Sequence, residues 1–249
     1  MNRLLTAIGT ERMKIRRSKL LRISLLTSII LPVIFALIFS GEIGTQKAFE
    51  GAVDFPGLLD QLGIVMSIGG LIGFGFVFSW IFGREYSDRT VKDLLALPIS
   101  RYGVAGAKLI VAAVWCAVLA LMLYVVGSLA GALLQLDGWS IAAVVQSFDE
   151  FAKITIMVIC LCIPVGWIAS VGRGYLTPLG FVVLTIIIAQ LGGGLGITEY
   201  MPWAIPGLLS GASGEANMHL QVVSLMLPYV TGAVGIAGTL AWWRYADQA

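Results

Sequence analysis

Apolar residues fill this chain in long runs, broken by short stretches rich in charge, proline or glycine. One helix needs about 20 mostly apolar residues to cross a bilayer core. By that measure the runs predict six spans, near Leu20–Ser40, Leu59–Phe82, Val104–Leu136, Phe148–Ser170, Thr177–Gly193 and Gln221–Trp243. The third is long enough to tilt or to protrude. Ahead of the first, the stretch Arg3–Arg17 places Leu4, Leu5, Ile8 and Arg12 or Ile15 on one face. That pattern predicts an amphipathic helix lying on the membrane surface. Before the last span, Gly192–His219 breaks the rhythm. Pro202 and Pro206 forbid one continuous helix, and Tyr200 and Trp203 suit a membrane–water interface. Short helices at, or dipping into, that surface are expected. The expected fold class is an all-α polytopic membrane protein of one domain, 1–249. Residues 1–19 hold the interfacial helix, 20–243 the spans and 244–249 a tail.

The densest charge lies between the second and third spans. Arg84, Glu85, Asp88, Arg89, Lys92 and Arg101 fall close together in a chain with only 12% charged residues. Thr90 can cap a helix, with Asp93 three residues on as a capping-box partner. Val91, Leu94 and Leu95 then share a face at i, i+3, i+4 spacing, and Pro98 ends the helix. A short amphipathic helix between two spans is suited to press on another protein.

Composition agrees with the spans. The apolar fraction is 58% and the mean hydropathy +0.93, against roughly 45–50% apolar residues in soluble domains. A net charge of +2 gives no case for nucleic acid. About fourteen of the sixteen Lys and Arg residues fall on one side of a six-span layout, with Lys47 and Lys153 on the other. That bias puts both termini in the cytoplasm, together with the Arg84–Arg101 and Arg173 loops. Most acidic residues, among them Glu42, Asp54, Asp60, Asp137, Glu199 and Glu215, then fall outside. Cys116, Cys160 and Cys162 lie in apolar runs and read as buried free thiols.

Catalysis finds little footing. His219 is the one histidine, in an outer loop. Gly211-Ala212-Ser213-Gly214 resembles the serine motif of rhomboid-type proteases, but those need a histidine on a different helix. Neither a His-Glu-x-x-His zinc motif nor a Gly-x-x-x-x-Gly-Lys-Ser/Thr nucleotide loop occurs. The span interiors read as almost charge-free, which argues against an ion-coupled carrier. Asp149 and Glu150 read as acids near the N-terminus of the fourth span, with Glu150 paired to Lys153. Gln190 is expected to bond across helices, and Gly69-x-x-x-Gly73 and Gly127-x-x-x-Gly131 to let helices approach closely. Pro32, Pro164 and Pro228 are expected to kink their helices, and Thr177-Pro178 to start one.

In the loop after the second span, Glu85, Thr90, Leu94, Leu95, Pro98 and Arg101 resemble the Glu…Thr…Leu-Leu…Pro…Arg signature of ABC-2-type transporter permeases. Arg89 stands where that family often has glycine. Pro202-Trp203-Ala204-Ile205-Pro206 resembles the subgroup linked to bacitracin and lantibiotic resistance. The architecture of an N-terminal amphipathic helix, six spans and a proline-broken outer segment is also similar across the whole chain. The resemblance implies a bacterial plasma-membrane permease of an ATP-driven exporter for an amphiphilic, peptide or lipid-like substrate. It implies two copies of a separate ATPase, which binds ATP and Mg, and a second permease subunit, either another copy or a related chain. The permease itself would be no enzyme and hold no cofactor or metal. The loop helix would dock on the ATPase, with Arg84, Glu85, Asp88, Arg89, Thr90, Val91, Lys92, Leu94, Leu95, Pro98, Arg101 and Arg173 on the coupling side. Glu199, Tyr200 and Trp203 would shape the outer end of the substrate path. The alternative is a channel or membrane scaffold that works without an ATPase.

Overall fold

The computed structural model describes residues 2–42, 54–88, 100–212 and 220–245, without the side chains of 2–4 and 193–195. Among these residues there are eight α-helices and no strand. They are α1 (Asn2–Arg16), α2 (Lys19–Phe39), α3 (Phe55–Ser87), α4 (Arg101–Leu133), α5 (Ile141–Val171), α6 (Leu176–Leu195), α7 (Ile205–Leu209) and α8 (Val222–Tyr245). Two 3-10 turns, Thr198–Tyr200 and Pro202–Ala204, connect α6 to α7. Helices α2, α3, α4, α5 and α8 are each long and apolar enough to cross a membrane. Helix α6 is apolar too, over the shorter stretch Leu176–Gly192.

Local chemistry sets several helix starts. The Ser18 hydroxyl accepts from the Leu21 amide, the Asp54 carboxylate from Gly57 and the Ser140 hydroxyl from Ala143. Each satisfies an amide that the first turn leaves without a partner. At 33 residues apiece, α3 and α4 are about 50 Å long, well beyond a bilayer core of about 30 Å. Their ends therefore stand clear of the hydrocarbon.

Helix α5 is the centre of the bundle, packed on α3 along one side and on α8 along another. Helix α1 lies on α4, and α2 lies against α4 and α3. Much of the outer surface is apolar. Ile23, Leu26, Ile30 and Ile34 of α2 are exposed, as are Val114, Val118, Leu121, Val125 and Leu129 of α4. In water such stripes would drive aggregation, whereas lipid covers them without cost. The protein is a multi-pass membrane protein.

The structure corrects several details of the sequence reading. Helix α5 begins at Ile141, not near Phe148, so Asp149 and Glu150 sit more than two turns inside it. Lys153 pairs with Asp149 at 2.5 Å, one turn away, instead of Glu150. Helix α6 is capped at Tyr175, so Pro178 is its third residue and Thr177 is no cap. Gln190 is exposed. Gly127 and Gly131 do let side chains from α2 and α3 approach: a Cβ there would meet Leu62 and Leu58 at 2.6 and 2.7 Å. Gly69 and Gly73 serve no such contact among the described residues. Another close helix contact uses a different set, Gly232, Gly235 and Gly238 of α8. A Cβ on Gly235 would lie 2.7 Å from the Pro164 nitrogen, and one on Gly232 3.1 Å from the Cys160 carbonyl oxygen. Backbone meets backbone there, so any side chain would push α8 off α5.

Candidate functional site

Four charged side chains meet at the end of the bundle that carries α1. Lys108, on the second turn of α4, is completely buried. Its ammonium donates to Glu11 Oε2 at 3.0 Å, Glu85 Oε1 at 2.9 Å and the Ile81 carbonyl at 3.2 Å. An ammonium has three donors, and all three are used. Lys14 donates to Glu11 Oε1 at 3.0 Å and to Glu85 Oε1 at 2.7 Å. Two acids and two bases thus meet in one cluster, with Glu11 bridging the two lysines and Glu85 Oε1 shared by both. Glu11 and Glu85 are only 5% and 3% exposed, so the lysines stand in for the water these carboxylates have lost.

Three elements supply the cluster. Helix α1 turns Ala7, Glu11 and Ile15 inward at i, i+4, i+8, while Leu5 and Met13 face out. The face expected from sequence ran through Leu4, Leu5, Ile8 and Arg12 or Ile15; of these Ile15 is buried and Ile8 packs on the core, while Leu5 faces out. Helix α3 contributes Glu85 from its last turn, and α4 contributes Lys108. Burial lowers the proton affinity of Lys14, but the charges of Glu11 and Glu85 and their hydrogen bonds outweigh it and hold it above its ordinary value of 10.5. A lysine raised in this way lends stability that is complete below its unfolded value and fades only as pH rises through the folded one. The Lys14 pairings are therefore fully formed at neutral pH.

The same end carries the other described coupling candidates. Arg84 donates to Asp88 at 3.0 Å and lies 5.0 Å from the centre of the Trp80 ring. Arg101 opens α4 and is exposed. Arg173 sits exposed in the turn between α5 and α6 with a left-handed φ of 50°. That turn lies against the end of α3: Ser79 donates to the Tyr175 carbonyl at 3.2 Å, and a Cβ on Gly83 would meet the Gly174 oxygen at 2.8 Å. Arg89, Thr90, Val91, Lys92, Leu94, Leu95 and Pro98 lie outside the described residues.

A cavity of about 550 Å³ opens towards the opposite end, between α3, α6 and the broken segment 196–212. Gly196, at φ 68°, turns the chain off the end of α6. The segment then folds back against α3, where Ser210 donates to the Ser67 hydroxyl at 3.0 Å. Trp203 packs edge-on to Phe181, with ring centres 5.7 Å apart. Trp203 and Glu199 line the cavity, while Tyr200 is exposed outside it. Hydrogen bonding to Glu199, and its charge, push the Tyr200 phenol above its ordinary value.

Sequence comparison decides the family. The profile of ABC-2 family transporter proteins matches residues 7–191. The chain belongs to the ABC-2 transporter family. It is also similar to the bacitracin transport permease protein BCRB of Bacillus licheniformis, 24% identical over 189 residues, which cover 75% of this chain and 89% of that one. The family match takes in Glu11, Lys14, Glu85 and Lys108, and stops short of Glu199 and Trp203.

Of the cluster, sequence reasoning singled out Glu85 alone. The signal for Lys108 was present: a lysine within an apolar run needs a partner, and an intramembrane cation marks a site. Glu11 had a signal too, an acid at the centre of the i, i+4, i+8 stripe of α1. Both were passed over because the charges were counted by side of the membrane and not by helix face.

Proposed function

We propose that this ABC-2 permease is the membrane subunit of an ATP-driven exporter in the bacterial plasma membrane, working with two separate ATPase subunits and a second permease subunit. The observation that carries the reading is the buried cluster. It ties Glu85, at the start of the 89–99 connection, to both α1 and α4. A force on that connection would reach two helices at once through Glu85, instead of bending one helix end. In this reading Thr90, Val91, Leu94 and Leu95 dock on the ATPase, Pro98 ends the docking helix, and Arg84, Asp88, Arg89, Lys92, Arg101 and Arg173 surround the contact. Nucleotide, with its Mg, is bound and split on the partner. Closure of the ATPase pair would rock α3 and α4, and the cavity beside Glu199, Tyr200 and Trp203 would lie on the outer part of the substrate path. The cargo in this reading is amphiphilic, peptide-like or lipid-like.

Two measurements test the reading. Tagged protein purified in mild detergent should bring down an ATPase subunit carrying a P-loop, identified by mass spectrometry. Its absence under conditions that keep the permease dimeric would favour a channel or scaffold. Orientation has its own test, for a six-span layout with both termini inside. In a background lacking the three native cysteines, Ser87→Cys should resist an impermeant thiol reagent in intact cells and Ser213→Cys should react. Reaction of both from outside would overturn the layout.

A further inference from the structure

We propose that the cavity between α3, α6 and segment 196–212 is a binding site for the ammonium-bearing end of an amphiphile, with Glu199 as its counter-charge. The helix register places the cavity. Gly83 meets Gly174 and Gly75 meets Val182, so α3 and α6 run antiparallel, side by side. Continuing that register sets Leu71 beside Ile186 and Ser67 beside Gln190, and all four line the cavity. At 1.5 Å per residue, the Ser67–Gln190 level lies about 27 Å from Glu85 and the Leu71–Ile186 level about 21 Å. The cavity therefore occupies the half of the bilayer away from the charge cluster.

Its wall changes along that depth. Ser67, Gln190, Thr198 and Glu199 supply polar groups around the far level. Leu71 and Ile186 lie deeper, and Trp203 reaches in to meet Phe181, deeper still on α6. A polar mouth over an apolar floor is the profile of an amphiphile with its head towards the surface. A volume of about 550 Å³ suits a head group with part of its apolar body. Charge decides the sign of the head. Glu199 is the one charged residue among the described lining residues, where no Lys or Arg occurs. It forms no ion pair among the described residues, so a cation arriving there finds an uncompensated carboxylate near low-dielectric walls.

The purpose of such binding rests on the permease reading, but the binding itself needs no ATPase. The chain alone, in lipid nanodiscs, is titrated with a long-chain alkylamine brominated near its head, and tryptophan quenching is followed. Alcohol and carboxylate of the same brominated chain serve as probes of partitioning. The amine should quench saturably, and Trp203→Phe should remove the saturable part. Glu199→Gln should weaken it about tenfold or more, and Glu199→Asp should largely keep it. Both Glu199 variants are checked for unchanged elution and for unchanged quenching by the brominated alcohol. An amine curve equal in wild type and Glu199→Gln, saturable quenching by the carboxylate, or no saturable quenching at all would each overturn the site. Those failures would leave ATPase association untouched. Loss of ATPase association with amine binding intact would instead overturn the transporter reading.

Discussion

Lys108→Met is expected to destabilise the isolated protein by about 3–5 kcal/mol, the usual cost of stripping one partner from a buried ion pair. That is a large part of a typical folding stability of about 5–15 kcal/mol. Methionine has nearly the length of the lysine stem, so the loss is one of charge and hydrogen bonds and not of volume. Of the two lysines only Lys14 would then remain beside Glu11 and Glu85, whose 5% and 3% exposure leaves water little room to replace the lost charge. A second substitution gives the sign of the effect. Adding Glu11→Gln removes one of the two buried carboxylates that Lys108 had balanced, and should recover much of what Lys108→Met lost. The double variant should therefore be more stable than the single one, the reverse of simple additivity. Thermal midpoints of the detergent-solubilised chain, read with elution profiles, measure this. Equal midpoints for wild type and Lys108→Met would show that the cluster contributes nothing. A double variant weaker than the sum of its parts would show that charge balance is not what holds it.

The helices were legible because lipid-exposed and buried faces are both apolar, so each span shows as a run that needs no partner to be recognised. That same uniformity hid the packing. The Gly69 and Gly127 pairs look alike in sequence, yet only Gly127 and Gly131 take a neighbour's side chain. The stripe Gly232, Gly235, Gly238 has a three-residue spacing that was not sought, and its first two members bring the backbone of α8 against that of α5. Helix starts moved where a local cap outweighed hydropathy, as Ser140 did for α5. The charge joint was half legible. Glu85 stood out through its loop signature. Its lysine partners Lys108 and Lys14 lie 23 and 71 residues away, and a contact that joins α1 to α3 across 71 residues leaves no local trace. For the broken segment, proline and aromatic content foretold short helices. The Ser210–Ser67 contact, which seats it against α3, had no sequence signature.

The coupling proposal separates into a joint and a docking face, and two substitutions distinguish them. Leu94→Asp places a charge on the face that the sequence spacing assigns to Val91, Leu94 and Leu95. If that face is dry against the ATPase, the cost is several kcal/mol, or an affinity loss of about a hundredfold or more. Co-purification with the ATPase should fail while membrane insertion and the thermal midpoint of the permease stay as in wild type. Glu85→Gln acts on the joint instead. Glutamine keeps the shape and one acceptor, but it no longer holds Lys14 and Lys108 by charge, the two contacts of 2.7 and 2.9 Å. The link between the loop and helices α1 and α4 becomes slack while the docking face is unaltered. The ATPase should still co-purify, and transport per assembled complex should fall about tenfold or more, as expected when one charge-assisted contact is lost from a moving part. ATP hydrolysis by that complex should continue without export. Full export by Glu85→Gln complexes would remove the cluster from the coupling path. Wild-type assembly and export by Leu94→Asp would mean that the loop helix does not dock through this face, and force from the ATPase would have to enter elsewhere, with Arg101 of α4 and the Arg173 turn the remaining contacts at that end.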